Sequence, residues 1–250
     1  MRDDGWPIGV HRIILDEVDS TNAEAARRAV DLSTPAWILA QHQTKGRGRR
    51  GRPWADPVGN FSASHLMFPD EPLKDVALNS FIAALSLYEA LRVVAPSDGY
   101  ALKWPNDVLL NGTKIAGILL ESSGQRDKVD WLVIGIGVNL ALAPDVTDVE
   151  PRATPPSSIA AQLGNTPDAE ELLSILAINF AVNRKLYLDM GFPTIRRLWL
   201  RHAARLGEVI TARTMREEVT GTFEDIDNDG NLILKTSKGR VAITAADVFF

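Results

Sequence analysis

Cysteine is absent from the 250 residues. Disulfides, thiolate nucleophiles, thiolate zinc sites and iron–sulfur clusters are excluded with it. Histidine is scarce: His11, His42, His65 and His202 stand far apart without ligand spacing, so each reads as structural. There is no signal peptide and no long uninterrupted apolar run, which predicts a cytoplasmic protein without a membrane segment. Excess positive charge is missing too, since the net charge is −5, whereas a nucleic-acid-binding domain carries a basic face. What remains is ordinary for a soluble globular chain, with 45% hydrophobic and 24% charged residues. The length holds one large domain and a small one.

Against that acidic background stands residues 43–54, reading Gln-Thr-Lys-Gly-Arg-Gly-Arg-Arg-Gly-Arg-Pro-Trp. Lys45, Arg47, Arg49, Arg50 and Arg52 alternate with Gly46, Gly48 and Gly51. Glycines weaken helix and strand alike, and the cations repel one another, so the stretch is a loop. Guanidinium forks match phosphate and carboxylate oxygens, and glycine lets backbone N–H groups approach them. An anion is the natural ligand, and a mobile loop that orders around it is expected. Non-specific nucleic-acid binding and a plain solvated loop are the competing readings. The letters Gly46-x-Gly48-x-x-Gly51 also fit a dinucleotide fingerprint, but Arg52-Pro53-Trp54 follows where a helix should begin, so that reading fails.

Residues 10–15 and 37–40 read as strands, with an alanine-rich helix at 23–30 between them. Thr21 with Glu24 fits a capping box, and Ser20 is the alternative cap. Residues 61–68 form a further strand, more polar than a central strand should be, and 76–94 a buried core helix. Strands at 108–110 and 115–120 flank Asn111-Gly112, a hairpin turn signal. Lys103, Asn106, Asp107 and Lys114 gather as a polar cluster at a sheet end, and Gly117 marks a close approach. Residues 129–140 form an apolar strand with a bulge at Gly135 and Gly137, either in the core or pairing across a two-fold axis. A long loop (143–167), two helices (169–188 and 194–204) and four short strands follow. The strands predict a small β-barrel or sandwich from about 206. Asp225-x-Asp227-x-Asp229-Gly230 imitates a calcium loop, but Thr236 stands where a bidentate Glu is needed, so it reads as a turn.

Taken together, Asp19-Ser20-Thr21-Asn22, the Gln43-to-Trp54 loop, Lys103-Trp104-Pro105-Asn106-Asp107, Lys114-Ile115-Ala116-Gly117-Ile118-Leu119-Leu120-Glu121 and Gly135-Ile136-Gly137-Val138-Asn139 resemble the biotin protein ligase family. The five motifs occur in family order across residues 10–140, and the layout beyond is similar. The resemblance implies an α+β fold: a mixed, largely antiparallel sheet flanked by helices over 1–205, with a small SH3-like barrel over 206–250. It also implies the short form without a DNA-binding domain. The implied reaction makes biotinyl-AMP and pyrophosphate from biotin and ATP with Mg²⁺, then passes biotin to a lysine of a biotin carboxyl carrier protein. By resemblance, Arg47 and Lys114 hold the biotin carboxylate, Arg49 contacts the nucleotide phosphates, and Lys103 and Asn106 face the same centre. Asp107 places Mg²⁺ or the incoming lysine. Ser20, Thr21, Asn22 and Gln43 pair with the ureido ring, Gly46, Gly48 and Gly117 line the biotin site, Trp54 packs near adenine, and Asn139 is a further nucleotide candidate. A homodimer is compatible with this reading. A lipoate ligase is the rival enzyme, a non-catalytic binding module the rival class. An octanoyltransferase of the same superfamily would need a cysteine.

Overall fold

The computed structural model describes residues 5–125, 128–145, 150 and 152–250. A seven-stranded sheet dominates it. β1 (His11–Val18) runs parallel to β2 (Ala36–Gln43), with helix α1 (Thr21–Arg28) between them in sequence. The remaining pairings are antiparallel: β3 (Phe61–Met67), β4 (Tyr100–Lys103), β5 (Asp107–Leu110), β6 (Thr113–Gln125) and β7 (Lys128–Val138) complete the order β1-β2-β3-β7-β6-β5-β4. The fold class is therefore α+β, with a mixed sheet.

β3 and β7 are the centre of the sheet, and this overturns one expectation. The polar character of β3 does not exclude it from the middle, because all seven of its residues are buried. β7 lies in the core, one of the two places the sequence allowed: residues 132–138 are paired on both edges, and residues 128–131 have β6 alone beside them. Its glycines sit in unbroken register; the bulge lies at Asp130 of β7, opposite Ser123 and Gly124 of β6.

One face of the sheet is covered by α3 (Asn79–Val94), α5 (Ala169–Met190) and α6 (Phe192–Leu200). α3 is sandwiched between sheet and helices, which explains its apolar residues on every side. It is separated from the short α2 (Leu73–Val76) at residues 77–78. The stretch Leu73–Val94 is long and apolar enough to cross a membrane, but most of it is buried in this core. α1 covers the opposite face, where Ala25 packs on Ile38, Leu66 and Val133. Ser20 is its N-cap and accepts from the Ala23 N–H, so the capping box on Thr21 does not form; Glu24 turns to Arg27 and Arg28 instead. Asn111 and Gly112 take φ of 50° and 77°, the left-handed pair that a two-residue hairpin needs. The long loop contains one short helix, α4 (Ile159–Leu163); its residues 146–149 and 151 lie outside the described residues.

The second sheet has the order β11-β10-β9-β8-β12, all antiparallel, from β8 (Val209–Arg213), β9 (Glu218–Ile226), β10 (Leu232–Thr236), β11 (Gly239–Ile243) and β12 (Asp247–Phe249). The Asp-rich segment is a turn between β9 and β10, in which Asp227 accepts from the N–H groups of Asp229 and Asn231. This small sheet docks on the first through Trp104, whose indole donates to Gly230 O.

Candidate active site

Strand alternation builds the floor of the site. Ser62 and Ser64 of β3 lie opposite Gly137 and Gly135 of β7, and Gly137 and Gly135 lie opposite Gly117 and Leu119 of β6. Facing residues share a side of the sheet. One side is thus serine and glycine, while the alternate residues Phe61, Ala63, Ile134, Ile136 and Ile118 enter the core. The glycines are spaces for other groups. A Cβ on Gly135 would lie 2.2 Å from Asn22 Oδ1, and one on Gly137 2.4 Å from the Trp54 indole. Trp54 also covers Gly117, and its indole nitrogen is buried with no partner among the described residues.

Above this floor is a cavity of ≈ 700 Å³. At one end the start of α1 meets β2 and β3. Gln43 Oε1 accepts from the Thr21 N–H and hydroxyl, Gln43 Nε2 donates to Ser62, and Ser64 contacts Thr21 Oγ1 and Asn22 Oδ1. Asn22 Nδ2 donates to Glu121, which also pairs with Arg47 at 3.1 Å. This end is neutral, buried and rich in directed hydrogen bonds.

Cations gather at the other end. The Lys103-to-Asp107 turn joins β4 to β5, and Lys103 lies directly across from Asp107. Lys114 Nζ is 2.7 Å from Asp107 Oδ1. Lys103 is only 6% exposed and donates to Thr154 Oγ1 at 2.5 Å. Burial pulls its pKa down and the nearby Lys114 adds to this, against Asp107. Arg49 donates to Asn106 Oδ1 at 3.0 Å, and burial lowers its pKa as well. Asn106 is held by Ile118 O. A buried, imperfectly neutralised positive cluster is an anion site.

The Gly/Arg loop forms the roof as a narrow excursion, bridged at Arg47 and Pro53 and closed by the Trp54 N–H on Gly46 O. Arg50 takes φ 56°, which turns it away from the cavity toward Asp247 of β12 at 2.6 Å. Arg52 meets Glu150 and Asp247. Asp247 is partly buried, which opposes ionisation, but Arg50 and Arg52 outweigh this and hold its carboxyl below the usual range.

Of the residues singled out in the sequence, Ser20, Thr21, Asn22, Gln43, Arg47, Gly48, Arg49, Trp54, Lys103, Asn106, Asp107, Lys114, Gly117 and Asn139 all line this one cavity. Gly46 does not. It borders a smaller adjoining pocket, where a Cβ would strike Trp54 O at 2.6 Å. Arg47 and Lys114 share the cavity but answer to different carboxylates, Glu121 and Asp107. Asn139 donates to Ser157 O and so ties the long loop to β7. Sequence reasoning missed Ser62, Ser64, Glu150, Thr154 and Asp247 as lining or second-layer groups. The polarity of β3 was the available signal for the serines; the others reach the site only through tertiary packing.

The cavity fits a ligand with a neutral hydrogen-bonding head, a slender middle crossing the glycines, and an anionic tail. The family model for biotin/lipoate A/B protein ligases matches residues 14–139, and that for the biotin protein ligase C terminal domain matches 206–250. The chain belongs to the biotin/lipoate A/B protein ligase family. It is 52% identical to the biotin–[acetyl-CoA-carboxylase] ligase of Paracoccus denitrificans, over 95% of this chain and 99% of that one. The bifunctional ligase/repressor BirA of Bacillus subtilis is 31% identical over 96% of this chain and 74% of its own length. Among solved structures, the biotin protein ligase of Aquifex aeolicus in complex with biotin and ATP superposes with a TM-score of 0.80 at 27% identity, covering 95% of this chain and 97% of that one.

Proposed function

We infer that this chain is a biotin protein ligase. Biotin's carboxylate oxygen attacks the α-phosphorus of ATP, the bond to pyrophosphate breaks, and biotinyl-AMP forms. A lysine amine of a biotin carboxyl carrier protein then attacks the acyl carbon and AMP leaves. The observation that carries this reading is the single cavity with a directed polar end and a buried cationic end. The polar end takes the ureido ring, through Ser20, Thr21, Asn22 and Gln43. The thiophane ring and acyl chain pass over the floor where Trp54 covers Gly117 and Gly137, with Gly48 in the same cavity.

The first step brings an anion to a polyanion, so preorganised cations are the main requirement. In this reading Lys114 and Arg47 hold the carboxylate and then the acyl-phosphate linkage, Arg49 meets the nucleotide phosphates, and Lys103 and Asn106 face the same centre. Trp54 and Asn139 border the nucleotide. The nucleotide arrives as its Mg²⁺ complex. Asp107, 2.7 Å from Lys114 Nζ, would help to place that ion or the incoming lysine. A cytoplasmic location is proposed; among the described residues the one stretch long and apolar enough to cross a membrane is mostly buried in the core. A homodimer is compatible with this reading.

ATP–pyrophosphate exchange with biotin, with lipoate and with neither tests the reading. Exchange with biotin alone is expected. Exchange with lipoate instead moves the substrate, and exchange with neither removes the activity.

A further inference from the structure

A buried carboxylate outside the cavity touches two groups of its polar end. Asp56, 9% exposed, follows the Gly/Arg loop and lies behind β2 and β3. It lines the adjoining pocket and not the ligand cavity. Its Oδ2 accepts from the Gln43 N–H at 2.8 Å and its Oδ1 from the Ser62 hydroxyl at 2.8 Å. Both oxygens are therefore committed, each to a group of the polar end.

Burial raises the Asp56 pKa while the Ser62 and Gln43 hydrogen bonds oppose this, and with Asp56 as the carboxylate the hydrogen-bond directions follow. A carboxylate only accepts, so the single Ser62 proton points at Asp56. Ser62 Oγ is then an acceptor for Gln43 Nε2 at 3.0 Å. Gln43 is left with its carbonyl oxygen toward Thr21, where the backbone N–H donates at 2.8 Å. From the opposite side, Glu121 can only accept from Asn22 Nδ2, which turns Asn22 Oδ1 to Ser64. The Ser64 proton goes to that oxygen at 2.6 Å, so the one Thr21 proton is shared between Gln43 Oε1 at 3.1 Å and Ser64 Oγ at 2.8 Å. Thr21 Oγ1 thus receives no hydrogen bond, and its lone pairs are available in the cavity. Ser20 Oγ accepts from the Ala23 N–H, and its proton has no acceptor among the described residues. A cyclic urea needs that polarity: an acceptor for its N–H and a donor for its carbonyl.

We propose that Asp56 is a positioning residue that sets the hydrogen-bond direction of the ring pocket through Ser62 and Gln43, and so selects a ligand that presents N–H donors there. This rests on the biotin reading above. Replacing Asp56 by Asn keeps shape but makes one of the two oxygens an NH₂. The Gln43 N–H cannot accept, so the amide would donate to Ser62, whose proton would then oppose Gln43 Nε2. Gln43 can escape only by turning its NH₂ toward the Thr21 N–H. The conflict is passed along the chain and does not dissipate, because every member is buried.

The test compares wild type, Asp56→Asn, Ser62→Ala and the double variant by biotin titration calorimetry and by pyrophosphate exchange. Asp56→Asn is expected to raise the biotin KM and Kd at least tenfold, with the ATP KM within twofold and the melting temperature near that of wild type. In the Ser62→Ala background, Asp56→Asn is expected to change the biotin KM less than twofold, since the relay is already cut. An unaltered biotin KM in Asp56→Asn would overturn the proposal. So would equal losses in both KM values and thermal stability, or strict additivity in the double variant. Wild type that fails to bind biotin would instead bring down the biotin reading, and this proposal with it.

Discussion

Arg47 and Lys114 are both cations of the cavity, but their surroundings give them different consequences. Arg47 is half-exposed and pairs with a partly exposed Glu121. Such a pair contributes only about 0–1 kcal/mol to stability. Arg47→Ala should leave the melting temperature nearly unchanged while speeding loss of biotinyl-AMP at least tenfold, read as adenylate released before transfer. Retention equal to wild type would remove the loop's sealing role. Lys114 neutralises Asp107 inside the anion site. Lys114→Ala removes a cation and leaves a bare carboxylate facing the phosphates. Pyrophosphate exchange should fall by roughly 100-fold or more, the scale of losing one preorganised charge, with the fold intact by circular dichroism. Near-normal exchange would take Lys114 out of the site. Both residues were readable as site candidates from the sequence because a lysine beside apolar strand residues, and an arginine among glycines, lack any better local reason. Their partners were not readable: Glu121 and Asp107 are chosen by strand register.

At the level of the element, the sheet face is the instructive case. β3 seemed too polar for a central strand because its Ser62, Ser64 and His65 were read as one string. In the sheet they separate. Ser62 and Ser64 face the cavity, whereas His65 is buried in the core, stacked on Trp37 at 4.5 Å and edge-on to Phe180. A period of two divides them, and only the partner strands say which side is solvent-free. The same logic reinterprets Gly135 and Gly137, whose missing side chains make room for Asn22 and Trp54. Gly135→Ala puts a methyl into Asn22 while leaving an ordinary extended backbone. The expected result is a biotin KM raised more than tenfold, with a melting temperature within a few degrees of wild type. An unchanged KM would mean that Asn22 is not needed where it lies.

For the whole molecule, pH enters through the buried core. His65 donates from Nδ1 to Ala36 O, and burial pushes its pKa down to about 3. An exposed histidine in the unfolded chain titrates near 6.5. Between those values the unfolded state holds the extra proton, so stability rises with pH across that window and is fully present above about 6.5. Acid unfolding should therefore begin below about pH 6. His65→Gln, which can still donate to Ala36 O, should flatten the slope of stability against pH, measured by urea denaturation from pH 4 to 7. His202, whose pKa burial also lowers, acts in the same direction and remains in that variant. An unchanged slope would show that His65 is not the group responsible. The small C-terminal sheet also belongs to this scale. Asp247 of β12 meets Arg50 and Arg52 almost two hundred residues earlier in the chain, so the roof of the site is braced by the second sheet. By itself the sequence determined most of the elements, though not β4, α4 or β12, and also the Asn111-Gly112 turn, the anion-seeking loop and nearly every cation of the site, because glycine, proline, charge and period act within a few residues. The tertiary structure alone decided that β3 and β7 are central, that glycines floor the cavity, that Thr154 and Asp247 line it and that Asp56 stands outside it, because strand order and the facing of a buried polar group are set by contacts between distant segments.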